Sequence, residues 1–358
     1  MKSSVKFSAL FSCIIFLSLF VFGCAGTANK IVGVSMPSKD EPRWIQDGEN
    51  IVRQLQAKGY EVDMQNAEAN AELQISQIEA MIEKNCSVLV IVAHDGSSLT
   101  EVLQKAVDKK IKIIAYDRLI MDTPNVDYYV TFNNFDVGVM QGDYIETALN
   151  LKDTDGPYNI EIFAGSPKDN NSKFFYNGAM SILQPYIDSG KLVVRSGQSG
   201  FDETAIMDWE YAAAQQRMSG LLQNYYSDGT ELHAILSPND GLAMGIINAL
   251  KEIGYGKDKP FPIITGQDCV PSNVVAMING EQSMSVFKDT RSLASKTVEM
   301  IDDIVVRKKA ATNDSKTYDN GVKIVPTYIC SPIFADKDNY KRILIDSGYY
   351  DESDLGIG

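Results

Sequence analysis

The sequence predicts an α/β protein with two doubly wound lobes, each built on a parallel sheet. Three observations support this prediction. The chain has 358 residues, a length that suits two domains of ordinary size. Short apolar strands alternate with helices from residue 31 onward, and the alternation begins afresh near residue 137. The uninterrupted apolar run at 87–92 is typical of a strand that helices cover on both faces.

In the first set, Ile45, Ile51, Val52 and Leu55 fall near helical spacing, and Lys58-Gly59 ends that helix. The same reasoning predicts strands at 31–36, 61–65, 87–92, 112–116 and 128–132, with helices at 44–58, 71–84 and 99–109. Right-handed crossovers place the carboxyl ends of parallel strands along one edge of a sheet. Ligands of such sheets bind outside that edge, so the residues that follow each strand are the functional candidates.

The second set repeats the pattern. Strands are predicted at 158–165, 192–194, 234–237, 263–266 and 284–287, with helices at 137–149, 174–188, 212–226, 241–253, 271–278 and 292–307.

The charge balance limits the classes of function. There are 33 Lys and Arg against 47 Asp and Glu, a formal net charge of −14. A nucleic-acid partner is not expected, because phosphate neutralisation requires basic patches. With only two histidines, His94 and His233, histidine-based metal catalysis is not expected either.

The first thirty residues predict export. Lys2 and Lys6 precede an uncharged stretch at 7–29, the layout of a secretory signal. The apolar segment at 13–22 is short for a membrane-spanning helix, which needs about 20 apolar residues. An uncleaved membrane anchor is the alternative. The sequence Val21-Phe22-Gly23-Cys24 resembles a bacterial lipobox. We therefore expect a signal peptide at 1–23, lipid attachment at Cys24, and a linker at 24–30.

Cleavage there would remove Lys2 and Lys6, leaving 31 basic against 47 acidic residues and a net charge of −16. The cysteines that then remain, apart from Cys24, are Cys86, Cys269 and Cys330. They have no Cys-x-x-Cys or Cys/His spacing, so structural zinc is not predicted. A disulfide among the three remains an open alternative.

The positions that follow the predicted strands share one chemistry: planar polar groups, together with both tryptophans of the chain. They are Lys39, Asp40, Arg43, Trp44, His94, Asp95, Asp117, Arg118, Asp169, Asn170, Asn171, Asp208, Trp209, Asn239, Asp240, Gln267, Asp268, Lys288 and Asp289. Sugar hydroxyls both donate and accept, and this mixture does the same. The apolar faces of a sugar ring pack on aromatic rings. Individually, Asp95 and Asp240 could equally be helix N-caps, and Trp44 could be a core residue.

Catalytic motifs are poorly represented. There is no Gly-x-Ser-x-Gly, and in its nearest approximation, at 197–201, Phe201 replaces the last glycine. No phosphate-binding Gly-x-x-x-x-Gly-Lys-Ser/Thr occurs. Asp153-x-Asp155-Gly156 matches only the start of a calcium loop. We predict no catalytic residue, no cofactor and no metal. A glycosidase, which needs a pair of carboxyl groups, is the enzyme alternative.

Six segments carry a resemblance to a known family. They are Glu41-Pro42-Arg43-Trp44, Ala115-Tyr116-Asp117-Arg118, the run from Gly165 to Asn171, Ser237-Pro238-Asn239-Asp240-Gly241, Gly266-Gln267-Asp268, and Val286-Phe287-Lys288-Asp289. In this order they resemble the bacterial periplasmic sugar-binding proteins of type I, in the xylose-binding and multiple-monosaccharide-binding branch. The resemblance covers about 31–350.

The resemblance implies two Rossmann-like lobes joined by three hinge crossings, with a monosaccharide in the cleft. It implies a set of hydrogen-bonding residues, namely Arg43, Asp117, Arg118, Asn171, Asn239, Asp268 and Lys288, with Asp95, Asn170 and Asp240 as further candidates. It implies that Trp209 stacks on one face of the sugar ring and that Trp44 closes the other side.

The family topology also implies discontinuous lobes, with crossings near Asn134, Gln267 and Lys309. The N-terminal lobe would comprise 31–134 and 268–310, the C-terminal lobe 135–267 and 311–350, and the tail 351–358. An edge strand at 324–329 would close the second lobe.

The resemblance implies a function in transport. The expected protein is an exported monomer, anchored by lipid on the outer side of the cytoplasmic membrane, that delivers a xylose-, glucose- or galactose-class sugar to an ABC permease and its ATPase. A sugar-sensing co-receptor for a chemoreceptor or sensor kinase is the alternative.

Overall fold

The computed structural model describes residues 31–39 and 41–357. The predicted signal peptide, Cys24 and the linker at 24–30 lie outside the described residues. Within the described part of the chain, no helix is both long enough and apolar enough to cross a bilayer.

Strands and helices alternate along the described chain. The strands are β1 (Ile31–Met36), β2 (Glu61–Asn66), β3 (Val88–Ile91), β4 (Lys112–Tyr116), β5 (Tyr128–Phe132), β6 (Tyr158–Ile162), β7 (Leu192–Val194), β8 (Ala234–Leu236), β9 (Ile263–Ile264), β10 (Met284–Phe287), β11 (Thr327–Cys330) and β12 (Ile333–Asp336). The helices are α1 (Pro42–Ala57), α2 (Ala71–Glu83), α3 (Thr100–Asp108), α4 (Asn134–Ala148), α5 (Asn170–Asp188), α6 (Phe201–Thr204), α7 (Tyr211–Tyr225), α8 (Asp240–Glu252), α9 (Pro271–Ile278) and α10 (Thr290–Val305). Short helical turns cover Met207–Trp209, Lys341–Ile345 and Glu352–Leu355.

The first lobe is built on a parallel sheet with the order β11-β5-β4-β3-β1-β2. Successive side chains of a strand point to opposite faces, and β3 shows the result. Val88 and Val90 join the core under α1 and α10. Leu89 and Ile91 join the core under α2 and α3. The strand is therefore buried on both faces, as its continuous apolar run predicts.

The second lobe has a parallel sheet with the order β7-β6-β8-β9. Ile160 and Ile162 of β6 pack with residues of α4 and α5, whereas Ile235 of β8 packs with residues of α7 and α8. A parallel bridge between Gln267 and Val286 continues this sheet to β10, and β12 pairs antiparallel with β10. The predicted fold class, two doubly wound parallel sheets, is confirmed.

The lobe boundaries differ from the expected ones at two of three crossings. Strand β10, expected in the N-terminal lobe with 268–310, contributes Met284 and Val286 to the core of the second lobe. The second crossing therefore falls at 288–289, between β10 and α10, not near Gln267. Strand β11, expected in the C-terminal lobe with 311–350, pairs in parallel with β5. It occupies the open edge of the first sheet, so the third crossing falls at 331–332 rather than near Lys309.

The three cysteines in the described chain are unpaired thiols. Cys86 and Cys269 are buried, and Cys330 is half-buried. Burial raises the pKa of the Cys86 thiol to about 11, so this group behaves as a small apolar side chain.

Helices α4 and α5 cross at two glycines. A Cβ atom on Gly138 would lie 1.9 Å from the backbone oxygen of Phe175, and one on Gly178 would lie 2.1 Å from the oxygen of Phe135. The backbones can approach this closely only because neither residue has a side chain. The glycines therefore set the distance between α4 and α5, two helices of the second lobe.

Gly138→Ala should destabilise the protein by about 1–3 kcal/mol, because the added methyl group must push two helix backbones apart. Gly220→Ala is the matched control, since Gly220 lies within α7 and its Cβ would meet nothing within 4 Å. Urea denaturation of both variants measures the difference, with the control at or slightly above the stability of the unmodified protein. Equal stabilities would contradict this account of the α4–α5 contact.

Candidate functional site

A cavity of about 400 Å³ lies between the carboxyl ends of the strands of the two sheets. Its volume is in the usual range of small-molecule sites. It is lined by Pro37, Ser38, Glu41, Arg43, Trp44, Ala69, His94, Asp117, Arg118, Ser166, Asp169, Asn171, Phe175, Asp208, Trp209, Glu210, Tyr211, Asn239, Gln267, Asp268 and Lys288. We call this cavity the cleft.

The first lobe contributes residues from two turns. Pro42 occupies the first turn of α1, where its fixed φ favours helix initiation, and Arg43 and Trp44 follow it. Asp117 and Arg118 come directly after β4. Asp117 has a φ of 58°, a left-handed conformation that sharply turns the chain at the end of the strand.

The second lobe presents residues at helix N-termini. Asp169 caps α5 and accepts a hydrogen bond from the N–H of Asn171 at 2.9 Å. Asn239 caps α8 and accepts from the N–H of Leu242 at 3.0 Å. Capping explains why polar residues follow these strands, and it fixes the side chains at the rim of the cleft.

Trp209 occupies a constrained position. Both Asp208 and Trp209 have left-handed backbones, with φ of 53° and 58°, and a tryptophan rarely adopts this conformation. A Cβ on Gly165 would lie 2.1 Å from the Cη2 atom of the Trp209 indole. The ring of Phe175 stands edge-on to the indole with a centroid distance of 6.4 Å. The indole is therefore held between a glycine and a phenylalanine ring.

Trp44 lies beside two cationic groups. The guanidinium carbons of Arg43 and Arg118 are 4.7 and 5.0 Å from the centre of its ring. Such cation–π contacts stabilise both arginines at the cleft wall. Trp44 is 6% exposed, so it is both a cleft residue and a member of the first lobe's core.

Arg43 is the centre of a buried charge network. Its guanidinium pairs with Asp117, with Asp47 at 3.1 Å, and with Asp268 at 3.6 Å. The ammonium group of Lys288 is 2.9 Å from the same Oδ1 atom of Asp268. Two cations and three carboxylates thus meet at the back of the cleft.

This network shifts the pKa of each carboxyl group according to its neighbours. Burial alone would raise the pKa of Asp117, but Arg43 and Lys288 hold it below its usual value. Burial raises the pKa of Asp47 to about 6 despite the nearby Arg43. Burial opposes the charge of Arg43, but Asp117, Asp47 and Asp268 raise its pKa well above the ordinary value. Arg43 and Asp117 therefore remain charged at neutral pH.

Besides the Arg43–Asp268 pair, Arg118 and Asn171 make contacts that join the lobes across the cleft. The Nε atom of Arg118 is 3.3 Å from Oδ2 of Asp169. The side-chain amide of Asn171 donates a 2.8 Å hydrogen bond to the backbone oxygen of Asp117, while its oxygen accepts from Tyr129 and Asn134. These contacts fix the two walls relative to each other.

Four buried polar atoms of cleft residues make no hydrogen bond of good geometry among the described residues: Arg118 Nε, Trp209 Nε1, Gln267 Oε1 and Asp268 Oδ1. The first two are donors and the last two are acceptors. Arg118 Nε and Asp268 Oδ1 do lie in ion pairs, with Asp169 and Lys288. A buried polar group without a hydrogen bond costs free energy. The set therefore suits a ligand that can donate and accept hydrogen bonds in one small volume.

Nine of the twelve residues predicted as ligand-binding line the cleft: Arg43, Trp44, Asp117, Arg118, Asn171, Trp209, Asn239, Asp268 and Lys288. The other three do not line it. Asp95 lies in a turn, where Oδ1 accepts from the N–H of Ser97, and Asn170 is the half-buried first residue of α5.

Asp240 lies behind the cleft wall. Its Oδ2 accepts from the N–H of Val270 at 2.9 Å, and its Oδ1 accepts from Gln282 and Ser285 at 2.8 and 2.9 Å. Burial raises the pKa of Asp240 to about 8. These bonds fasten the segment that carries Asp268 to the start of α8, so Asp240 positions a cleft residue and does not face the cavity.

Several lining residues are not among the twelve. Asp169 and Gln267 follow predicted strands, so the sequence did mark them as candidates. Phe175 lies inside α5, at a position where an apolar residue indicates helical core. Tyr211 and Glu210 follow Trp209 and had no distinguishing pattern. Among the described residues, no cluster of His, Cys, Asp or Glu has the arrangement of a metal site.

Two parallel-sheet lobes, three crossings and a polar cleft at the strand ends define a two-lobed solute-binding protein. A model of the periplasmic binding protein domain matches residues 32–309. The chain belongs to this family of periplasmic binding proteins.

Individual relatives support this family assignment. The chain is 55% identical over 323 residues to the multiple sugar-binding periplasmic protein SbpA of Azospirillum brasilense, covering 90% of each. It is 50% identical over 356 residues to the multiple sugar-binding periplasmic receptor ChvE of Rhizobium radiobacter, covering 99% of this chain and 100% of the relative.

A solved structure of an ABC transporter solute-binding protein from Clostridium phytofermentans, with bound β-D-glucose, is 52% identical. It superposes with a TM-score of 0.88 over 91% of this chain and 100% of that one. The family and these relatives are binding proteins and receptors, so the chain is an exported binding protein and not an enzyme.

Gly165→Ala should displace the Trp209 indole, because the new methyl group would overlap the ring. In a Trp44→Phe background, Trp209 is the only indole, since the chain has two tryptophans. We expect a shift in its fluorescence emission and a changed near-ultraviolet circular dichroism spectrum, while Gly220→Ala in the same background leaves both unchanged. An unaltered spectrum in the Gly165 variant would show that the ring is not fixed by this contact.

Proposed function

We propose that the protein binds a monosaccharide of the xylose, glucose and galactose class in the cleft and delivers it to an ABC permease. The observation that carries the proposal is a buried donor and a buried acceptor without a partner among the described residues, Trp209 Nε1 and Gln267 Oε1, next to the ion-paired Arg118 and Asp268 and two aromatic rings. A sugar hydroxyl can satisfy either kind of atom. The names of the relatives, two multiple sugar-binding proteins and a glucose-bound protein, support the same ligand class.

The proposed roles follow from position. Asp117 and Asp268 accept hydrogen bonds from sugar hydroxyls, and Arg43, Arg118 and Lys288 donate to them. Charged partners strengthen these bonds without requiring a charged ligand. Asn171 and Asn239 use the amide groups that capping and cross-cleft contacts already orient. Trp209 packs on an apolar face of the ring, and Trp44 closes the opposite side.

Binding would be coupled to closure of the lobes. Residues of both walls must contact the sugar at once, so the ligand binds the closed arrangement more tightly than the open one. Closure removes water from the polar atoms, and a sugar that lacks a hydroxyl would leave a buried group unpaired at a cost of about 1–3 kcal/mol. The cleft would distinguish sugars in this way.

The proposal includes attachment to the membrane through a lipid on Cys24 and action as a monomer. The permease would recognise the closed conformation of the two lobes. The described residues contain no feature that favours the co-receptor role over delivery to a permease.

Isothermal titration with D-xylose, D-glucose, D-galactose and L-arabinose tests the ligand class directly. At least one of the four should bind with a dissociation constant well below the millimolar range. Failure of all four would overturn the monosaccharide proposal.

Asp268→Asn should weaken sugar binding by roughly 10- to 100-fold, because hydrogen bonds to a charged group contribute about 1.5–3 kcal/mol. Asp95→Asn is the matched control, because Asp95 makes its hydrogen bonds within a turn outside the cleft. Titration calorimetry of both variants, with their melting temperatures measured alongside, separates binding from folding. A larger loss in the Asp95 variant would show that the cleft contacts are assigned to the wrong loop.

A further inference from the structure

Each lobe has a buried glutamine behind the cleft that does not itself line the cavity. Gln74 of α2 is 0% exposed, and Gln141 of α4 is 1% exposed. Burial of an amide costs free energy unless the amide is hydrogen-bonded. Ile78 and Met81 occupy the same buried face of α2 as Gln74, so an apolar side chain would be ordinary there. The hydrogen bonds of each amide therefore show what a polar group does at these positions.

Gln74 extends the hydrogen bonding of the first sheet beyond the end of β3. The N–H of Val92 donates to the backbone oxygen of Ser35 on β1 at 2.9 Å. Nε2 of Gln74 then donates to the backbone oxygen of Val92 at 2.8 Å and to the hydroxyl of Ser35 at 3.0 Å. Its Oε1 accepts from the N–H of His94 at 2.9 Å. The side chain thus satisfies backbone groups that a neighbouring strand would otherwise pair.

The backbone that Gln74 fixes holds Arg118 in turn. Nη1 of Arg118 donates to the backbone oxygens of Ala93 and His94, at 3.3 and 3.4 Å. Nε of Arg118 lies 3.3 Å from Oδ2 of Asp169 in the other lobe. Among the described residues, no hydrogen bond engages Nη2 of Arg118. The position of residues 93 and 94 therefore sets the direction in which this nitrogen is presented to a ligand.

Gln141 has the same relation to the second lobe. Its Nε2 donates to the backbone oxygens of Pro238 and Gly266, both at 3.1 Å. These residues directly precede two cleft residues, Asn239 and Gln267. One amide therefore ties together the turns that follow β8 and β9. Because Oδ1 of Asn239 is used in the cap of α8, its Nδ2 group is the part that can donate to a ligand.

Stability and orientation are separable effects of these two amides. Each amide satisfies backbone groups that would otherwise be buried without a hydrogen bond, and this stabilises the fold. A fully satisfied buried network also restricts the chain to one conformation. The second effect acts on the cleft side chain that the same backbone carries or contacts. Coupling between a glutamine and that one side chain therefore distinguishes orientation from general stability.

We propose that Gln74 and Gln141 are positioning residues for the binding site. Gln74 orients the guanidinium of Arg118, and Gln141 orients the amide of Asn239. Neither glutamine touches the ligand, and each acts within its own lobe. The inference rests on the proposed binding of a monosaccharide in the cleft, and it adds the residues that keep two of the sugar's donors in place.

Double-mutant cycles with the full chain test the proposal. The ligand is whichever of D-xylose, D-glucose, D-galactose and L-arabinose binds the unmodified protein most tightly. Gln74→Met and Gln141→Met nearly keep the side-chain volume and remove the hydrogen bonds. Arg118→Lys keeps the positive charge, and Asn239→Asp keeps an oxygen that can cap α8. Titration calorimetry gives the dissociation constant of each single and double variant, and melting temperatures are measured alongside.

Gln74→Met should weaken sugar binding about tenfold, a usual size for groups that share a hydrogen-bond network. In the Asn239→Asp background the same loss should remain, whereas in the Arg118→Lys background the further loss should be less than about twofold. Gln141→Met should show the reverse pattern. Each glutamine is the matched control for the other, because both variants replace a buried glutamine by methionine.

Two measurements without sugar test the role of Gln74 separately. Amide hydrogen exchange at 92–96 should speed up in Gln74→Met, which removes the acceptor of the His94 N–H, but not in Gln141→Met. In a Trp209→Phe background, Trp44 is the only indole, since the chain has two tryptophans. Its fluorescence emission should shift in Gln74→Met, because the Arg118 guanidinium packs on its ring, and stay unchanged in Gln141→Met.

Gln74→Asn and Gln141→Asn replace any methionine variant that fails to fold. Asparagine keeps a buried amide, but its side chain is one methylene too short to make the same hydrogen bonds. The expected couplings are the same.

Two results would overturn the proposal. Losses that add within about twofold in all four double variants would assign both glutamines to stability alone. Unchanged affinity and unchanged Trp44 emission in Gln74→Met would show that the backbone at 92–94 does not orient Arg118. If none of the four sugars binds the unmodified chain, the monosaccharide proposal fails, and hydrogen exchange with Trp44 emission still decides whether Gln74 holds Arg118.

Discussion

The structure of the cleft depends on one buried cation. The Arg43 guanidinium is surrounded by Asp47, Asp117 and Asp268, which come from α1, the end of β4 and the end of the second sheet. A buried charge without partners would be prohibitively costly, and Asp47 and Asp117 supply partners within the first lobe. The pair with Asp268 joins the two lobes at the cleft. The binding free energy of a ligand is therefore a net value. It is the gain from new hydrogen bonds to these groups minus any weakening of the ion pairs that they already make.

The supporting residues follow from the same constraint. Asp268 is held near Arg43 and Lys288 by a segment with left-handed backbone at Asp268 and Cys269. Asp240 stabilises that segment through the N–H of Val270. Polar residues behind the wall are therefore as necessary for the site as those that line it.

The sequence predicted the fold class and most of the cleft because both depend on local rules. Alternating strands and helices imply parallel sheets, and the strand ends then identify Asp117, Asn239 and Asp268 without any knowledge of distance. The errors have non-local causes. Strand β11 looked like a closing strand of the second lobe, but its place is decided by the free edge of β5, which hydrophobic pattern does not reveal. Asp240 and its neighbour Asn239 both follow β8, yet only backbone geometry decides which side chain faces the cavity.

The brevity of the crossings has a mechanical consequence. Only 133, 288–289 and 331–332 separate elements of the first lobe from those of the second. Links this short favour bending of one lobe against the other over sliding. The three links connect the same two lobes, so they must bend together when the cleft opens or closes. A substitution that stiffens the link at 133 or at 331–332 would then alter the rates of sugar capture and release without touching a residue that contacts the sugar.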